Sequence, residues 1–390
     1  MVLVAICGKA NVGKSTILNA VTDAHAAVAN YPFTTIDPNK AIAFVSVPCA
    51  CKELGVKCSP RNSKCENGIR RVPINIVDVA GLVPGAHEGR GMGNKFLSDL
   101  GPADALIVVA DCSGGTDDDG NPVQSGTHDA VRDVQILLDE LDFWYADVLK
   151  RNAEKVRGKT LEDLAVLLSG MGISVDDLHH AVDACEFYEQ FWEWDKEQFL
   201  EVARILRKKT KFVAIAANKI DSPFAEENIT RLRSAFPEYL VVPVAGDAEL
   251  ALKRAKELGL IDYDGKIFSI LKQDLNPALK AALDKIKASV LDKHGSTGCR
   301  ELLDKVVFDL LGLIVVFPVE DEHKYSDHFG NVLPDAVLLP KNSTPIHLAA
   351  KIHTDLATHF HHAVDAKKHT ALGKDHGLRP GDVVKIVATK

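Results

Sequence analysis

Two textures of apolar and polar positions alternate along this chain. The first is a set of short, almost wholly apolar runs: Val2–Cys7, Ala41–Val47, Ile74–Val77, Ala105–Ala110, Phe212–Ala217 and Tyr239–Val244. Runs of this length without polar alternation fit strands covered on both faces, and helical patterns stand between most of them. That alternation predicts an α/β domain with a largely parallel sheet, whose ligand loops gather at the carboxyl ends of the strands. The second texture lies between residues 117 and 207. Val131, Val134, Leu138, Leu141, Tyr145 and Val148 step by threes and fours, a heptad-like seam. A second helical stretch runs from about Val175 to Leu206, and Trp144, Trp192 and Trp194 all fall in this region. The expected structure is a helical hairpin projecting from the sheet domain, with the aromatic cluster as its core ahead of a partner-binding patch. Beyond it, Asp247 to Lys305 reads as helices rich in Ala, Leu and Lys. Leu311–Phe317 is strand-like, and short strands, turns and one helical segment (Ile346 to Ala366) follow.

Composition narrows the class. A chain of 390 residues is too long for one core and implies two or three domains. No apolar stretch reaches bilayer-spanning length and the first residues enter a strand pattern, so a cytoplasmic protein without membrane contact is expected. The net charge of −8 argues against indiscriminate nucleic-acid binding. It is uneven: from Pro334 to Lys390 there are eight Lys and Arg against five Asp, with seven of the fifteen histidines. That tail is either a basic contact surface or a solvated face.

The candidate chemistry starts behind the first apolar run. Gly8-Lys9-Ala10-Asn11-Val12-Gly13-Lys14-Ser15 is a G-x-x-x-x-G-K-S loop between a strand and a helix. Its glycines let consecutive N–H groups curl round an anion, Lys14 reaches the β- and γ-phosphates, and Ser15 offers a hydroxyl to Mg²⁺. Gly8, Asn11, Val12, Gly13, Lys14, Ser15 and Thr16 are the expected phosphate-side contacts. Asp78-Val79-Ala80-Gly81 ends a second strand, where Asp78 can serve the metal's water shell and the Gly81 N–H the γ-phosphate. Asn218-Lys219-Ile220-Asp221 ends a third. A carboxylate only accepts hydrogen bonds. Guanine presents two adjacent donors where adenine presents an acceptor, so Asp221 selects guanine. The order of these segments points to a GTP site.

The stretch Asn30-Tyr31-Pro32-Phe33-Thr34-Thr35 and the run from Asp78 to Leu97, with Glu88-Gly89-Arg90-Gly91-Met92-Gly93-Asn94-Lys95-Phe96, resemble the Obg-related GTPases of the YchF type, in their archaeal version. So does the tail from Leu338-Leu339-Pro340 to Gly381-Asp382-Val383-Val384, which is similar to a TGS domain. The resemblance implies a Ras-like P-loop NTPase domain (residues 1–116 and 208–305), with a cysteine-rich insert at 49–65 and a helical extension at 247–305. It implies a helical hairpin at 117–207 and a ubiquitin-like β-grasp TGS domain at 306–390. It implies GTP hydrolysis with Thr35 on Mg²⁺ and Thr35 and Gly81 released when the γ-phosphate is lost, and contact with ribosomes or RNA through the TGS domain and hairpin. Leu82 stands where related enzymes carry a water-orienting glutamine, so slow intrinsic turnover is expected. Asn11 either helps hold K⁺ near the phosphates, which would make hydrolysis potassium-stimulated, or satisfies the loop; His87 is a further polar candidate. Many YchF-type proteins prefer ATP, but Asn218, Lys219 and Asp221 match the guanine-reading form. The last base loop, Pro243-Val244-Ala245-Gly246, lacks the usual serine, with Ala245 or Gly246 supplying an N–H to guanine. An ATP-preferring hydrolase of the same fold and a nucleotide-responsive scaffold with negligible turnover are the rival readings.

Three clusters remain. Cys49, Cys51, Cys58 and Cys65 crowd a short polar stretch and could hold a tetrahedral Zn²⁺, the alternatives being reduced thiols or a local disulfide. Cys7, Cys112 and Cys185 read as small core residues. Asp117-Asp118-Asp119-Gly120-Asn121-Pro122 lacks a calcium loop's downstream Glu and reads as a solvated turn. His359, His361 and His362 read as an exposed helical face rather than a metal site.

Overall fold

The computed structural model describes residues 1–22, 40–79, 100–187, 190–272 and 274–389, and the chain divides by packing into two compact units. Residues 3–20 and 76–302 form one; residues 1–2, 21–75 and 303–390 form the other. The elements begin with β1 (Leu3–Cys7), α1 (Lys14–Val21), β2 (Lys40–Pro48), α2 (Ala50–Leu54), β3 (Lys64–Glu66), β4 (Ile69–Asp78) and β5 (Ala105–Asp111). Next come α3 (Ala130–Lys155), α4 (Leu161–Leu168), α5 (Val175–Ala184), α6 (Lys196–Thr210), β6 (Phe212–Asn218), α7 (Ala225–Ala235), β7 (Leu240–Val244) and α8 (Gly246–Glu257). The small hairpin β8 (Ile261–Tyr263) and β9 (Phe268–Ile270) precedes α9 (Pro277–Ile286) and α10 (Cys299–Lys305). The chain ends with β10 (Leu313–Val319), β11 (Val337–Pro340), α11 (Pro345–Ile352), α12 (Thr354–Thr358), β12 (Phe360–Asp365), β13 (Thr370–Leu372) and β14 (Val383–Ala388).

In the first unit β1, β5, β6 and β7 run parallel, with Ile6 opposite Ile107, Val108 opposite Ile215 and Ala216 opposite Val242. The end of β4 lies beside β1, where the Val79 N–H donates to the Ile6 carbonyl at 3.0 Å. All seven residues of β5 are buried, as the unbroken apolar run requires of a central parallel strand. This sheet brings the carboxyl ends of β1, β4, β5, β6 and β7 to one edge, and the predicted motifs start there.

The seam residues Val134, Leu138, Leu141 and Tyr145 of α3 are buried, and α3 packs along α6. The expected second helical stretch is instead two helices, α5 and α6, interrupted between residues 185 and 195, and α4 precedes them. The interruption has a packing reason: Phe191 and Trp194 turn into the hairpin core, where Trp194 meets the Phe199 ring at 5.5 Å. The tryptophans therefore serve the hairpin's own core.

In the second unit a mixed five-stranded sheet has the order β11-β10-β14-β12-β13, with β10 and β14 parallel and the other neighbours antiparallel. α11 places Leu348 and Ala349 against it, burying Ile314, Val316, Leu339 and Val384 in a β-grasp arrangement. The helical segment expected to reach Ala366 ends at Thr358, because Phe360–Asp365 pairs with β14. His361 and His362 consequently lie on a strand, not on a helical face. The expected division keeps residues 49–65 with the nucleotide domain; packing groups them with the C-terminal sheet. Among the described residues no helix is long and apolar enough to cross a membrane.

Candidate functional site

The loop from β1 to α1 has Gly8 at φ 142°, Asn11 at 60° and Gly13 at 101°. Both glycines are obligatory on two counts. Their φ values are poor for L side chains, and a Cβ at Gly8 would sit 2.7 Å from the Val109 carbonyl while one at Gly13 would sit 2.3 Å from Asn218 Nδ2. The turn delivers the chain into α1 with the first-turn N–H groups, including those of Lys14, Ser15 and Thr16, facing outward from the helix start. Val12 is fully buried and anchors the loop from beneath.

One cation, one hydroxyl and one carboxylate converge here. Lys14 Nζ donates to the Lys9 carbonyl at 2.7 Å. Burial lowers the Lys14 pKa below the ordinary lysine value, with Asp78 pulling the other way. Ser15 Oγ donates to Asp78 Oδ2 at 2.8 Å. The second oxygen, Asp78 Oδ1, is buried and has no hydrogen-bond partner among the described residues. A hydroxyl beside a carboxylate with one orphaned oxygen is a hard-oxygen pair of the kind that suits magnesium.

Asn218 is a clasp between two loops. Its Nδ2 donates to the Val12 carbonyl at 2.8 Å and its Oδ1 accepts from the Gly246 N–H at 3.1 Å, all buried. Lys219, at φ 65°, sends Nζ to the Asn11 carbonyl at 3.2 Å and to Asp111 Oδ2 at 2.8 Å. Burial would raise the Asp111 pKa, but bonds from Lys219, Ser113 and Thr116 prevail and hold it below the ordinary carboxylate value. Asp221 is exposed just past the end of β6. Asn11 Nδ2 donates to the Gly120 carbonyl at 2.9 Å, joining the loop to the Asp117 turn. That turn is closed by Asp117 itself, whose Oδ1 accepts from the Asn121 N–H at 2.7 Å.

The last base loop departs from expectation. The Ala245 N–H donates to the Thr297 carbonyl at 2.8 Å and the Gly246 N–H is held by Asn218, so neither is free for a ligand. A helix leaves four N–H groups without helical partners. With these two engaged, those of Asp247 and Ala248 in the first turn of α8 are the ones left to a ligand. Thr297 is fixed in turn by Glu249, which accepts from Thr297 Oγ1 at 2.5 Å and Tyr263 Oη at 2.6 Å.

A buried network behind the loop was not legible from the motif. Lys9, only 6 % exposed, pairs with Asp133 at 2.6 Å and donates to the Thr116 carbonyl at 2.8 Å. His128 Nε2 lies 2.7 Å from the same Asp133 carboxylate. Lys9 occupies a position that the motif leaves open, and Asp133 lies inside a helix; the terminal Asp111 of β5 was the available signal. Thr35, Gly81, Leu82 and His87 lie outside the described residues.

In the second unit the Sγ atoms of Cys49, Cys51, Cys58 and Cys65 all lie within 4.8 Å of one another. None of the four is in a disulfide.

Known families match three segments. Residues 3–140 match a family described as 50S ribosome-binding GTPase, 216–321 the G4 motif-containing domain of Obg-like, YGR210-like GTPases, and 329–388 the TGS domain. A GTP-binding protein of Methanocaldococcus jannaschii is 49 % identical over 100 % of this chain and 99 % of its own length. The crystal structure of a GTP binding protein from Pyrococcus horikoshii aligns over 100 % of both chains with 36 % identity and a TM-score of 0.77. The Schizosaccharomyces pombe YchF GTPase shares the fold, at 17 % identity and a TM-score of 0.58 over 99 % of this chain and 97 % of its own.

Proposed function

The chain belongs to the Obg-like, YchF-type GTP-binding GTPases, and from that premise we propose that it is a slow, magnesium-dependent GTP hydrolase whose nucleotide state is read by a ribosome or RNA. The observation that carries the reading is the Asn218 clasp. One side chain joins the phosphate loop at Val12 to the base loop at Gly246, so the two halves of a nucleotide site are built as one piece. Lys14 exchanges the Lys9 carbonyl for the β- and γ-phosphates, a move favoured because a buried ammonium gains more from anions than from a neutral carbonyl. Ser15 and Asp78, joined by Thr35, would hold the magnesium ion that neutralises charge on those phosphates. Thr35 and Gly81 sense the γ-phosphate and release when it leaves. Asp221 accepts from guanine N1–H and N2–H₂, and the first turn of α8 reaches O6.

Leu82 cannot orient a water molecule, so the reading includes slow turnover. Asn11 supports a potassium dependence: its amide nitrogen is spent on Gly120, which leaves its oxygen as the acceptor. The basic tail and the TGS match support contact with RNA or ribosomes, and the hairpin offers a second arm for it.

One observation favours a second reading. Asp221 is exposed and the N–H groups of Ala245 and Gly246 are engaged, so base selection is loose and ATP competes. Phosphate release from GTP and from ATP, each in KCl and in NaCl with magnesium, separates the two. Faster GTP turnover in KCl supports the proposal; equal or faster ATP turnover selects the second reading; no turnover in any condition, ribosomes included, leaves a scaffold. Ribosome co-sedimentation with GDP against a non-hydrolysable GTP analogue tests the partner, and identical recovery would remove it.

A further inference from the structure

The cysteine segment holds two observations that explain each other. The first is a distance set. Cys49 Sγ and Cys58 Sγ are 4.0 Å apart, and Cys51 Sγ and Cys65 Sγ are 3.8 Å apart. A disulfide requires about 2.05 Å, so neither pair is bonded. Four thiolates placed about 2.3 Å from one ion at tetrahedral corners are separated by about 3.8 Å. Those two pairs match a tetrahedral edge, and all four sulfurs lie within 4.8 Å of one another, close enough to share one ion.

The second is a buried cation. Arg70 of β4 is fully buried. Its Nη1 donates to Ser63 Oγ and its Nη2 to the Leu333 carbonyl, each at 2.8 Å, and its guanidinium lies 5.2 Å from the Phe317 ring centre. Among the described residues its Nε has no hydrogen-bond partner and no carboxylate pairs with it. It stands beside the Cys49 sulfur. An isolated buried guanidinium costs several kcal/mol, and it is found where opposite charge compensates it. Four neutral thiols supply none.

We propose that Cys49, Cys51, Cys58 and Cys65 bind one zinc ion as a tetrathiolate, and that Arg70 is the positioning residue balancing the negative charge of that centre. A divalent ion with four thiolates carries two net negative charges, and the guanidinium offsets one. Cys49 and Cys51 flank the start of α2, 3 % and 8 % exposed, while Cys58 and Cys65 come from the loop and from β3, so the ion closes a segment with little core of its own. The same segment is strapped to residues 332–336: Ser59 N–H donates to the Val332 carbonyl at 2.9 Å, Arg61 N–H to the Pro334 carbonyl at 2.7 Å, and Arg61 Nη2 to Asp335 at 2.9 Å. Zinc thereby fixes a segment strapped beside Leu333, whose carbonyl Arg70 holds directly. The inference does not depend on GTP hydrolysis.

The test is elemental analysis of the full chain, purified without chelator, with thiol titration before and after a mercurial displaces bound metal. One zinc per chain and four thiols released together support the proposal. Iron in place of zinc, a disulfide, or four freely titrating thiols without metal each overturn it. Cobalt substitution should give the visible bands of a tetrahedral tetrathiolate, and Cys58→Ser, at the half-buried ligand, should alter them. For Arg70, the Arg70→Met variant should keep those bands but lose zinc to a chelator about tenfold or more faster, the usual scale for outer-shell partners. Arg70→Lys should recover part of that loss. Unchanged zinc retention in Arg70→Met overturns the assignment of Arg70.

Discussion

The nucleotide edge of the first unit and the helix starts of its hairpin satisfy their polar groups in different ways. Around the phosphate loop the buried bonds join residues far apart in sequence: Lys9 to Asp133, Val12 to Asn218, Lys219 to Asp111. In the hairpin each helix start is closed by its own neighbours. Thr160 with Asp163, Ser174 with Asp177, and Asp195 with Gln198 form three reciprocal caps ahead of α4, α5 and α6. The first arrangement gives one unit in which a change at any member moves the others. The second gives mostly local pieces, each worth little, with cross-ties between helices such as Lys209 to Asp177 and Arg207 to Asp142. A ligand site needs the first kind, because groups such as Asp78 Oδ1 must be held without a partner until one arrives.

The hardest test of that contrast is Lys14→Ala. It removes two charge-assisted phosphate bonds of about 1.5–3 kcal/mol each, so GTP affinity should fall at least about 100-fold. Fluorescent-nucleotide titration measures it, and unchanged circular dichroism separates lost binding from lost folding. Retained affinity would mean that the loop is not the phosphate site. Asn218→Ala comes next. It strands the Val12 carbonyl and the Gly246 N–H in a buried site, so unfolding in urea should show a loss of about 2–4 kcal/mol. GTP and ATP binding should weaken together. Asp221→Asn differs: Asp221 lies exposed, and on the proposed reading it serves only the base. GTP affinity should drop about tenfold or more with stability unchanged, and xanthosine triphosphate, whose C2 carbonyl accepts from the new amide, should gain. An unaltered ranking of GTP, ATP and the xanthine nucleotide would end the guanine argument.

Legibility followed the same division. The hairpin and the parallel strands were readable because periodicity and apolar runs are local records of burial. The break before α6 was not, since it depends on where Phe191 and Trp194 find a core. The phosphate loop was readable because glycine positions encode backbone geometry. The clasp made by Asn218 was not legible, because its partners, Val12 and Gly246, are remote in sequence. Ala245 and Gly246 were named for N–H groups that Thr297 and Asn218 occupy, and no local signal marks Thr297. The short strand β12 was hidden in a helical pattern, because pairing with β14 overrode propensity.

The smallest effect belongs to a hairpin cap, where the contrast is most easily broken. Asp177 is held at a pKa of about 2 by bonds from Ser174 and Lys209, against an ordinary value of 3.8. A depressed carboxylate contributes stability that is fully present above its unfolded pKa and lost as pH falls through its folded value. The contribution should therefore be intact above about pH 4 and gone near about pH 2. The group lies near the surface, so screening reduces it to about 0.5–1 kcal/mol. Wild type and Asp177→Asn, unfolded in urea at about pH 6 and about pH 3, should differ by that amount at the higher pH and by less at the lower. GTP affinity should be equal in both. A loss of nucleotide binding in this variant would show that the hairpin and the site are one cooperative piece, and the contrast drawn between them would fail.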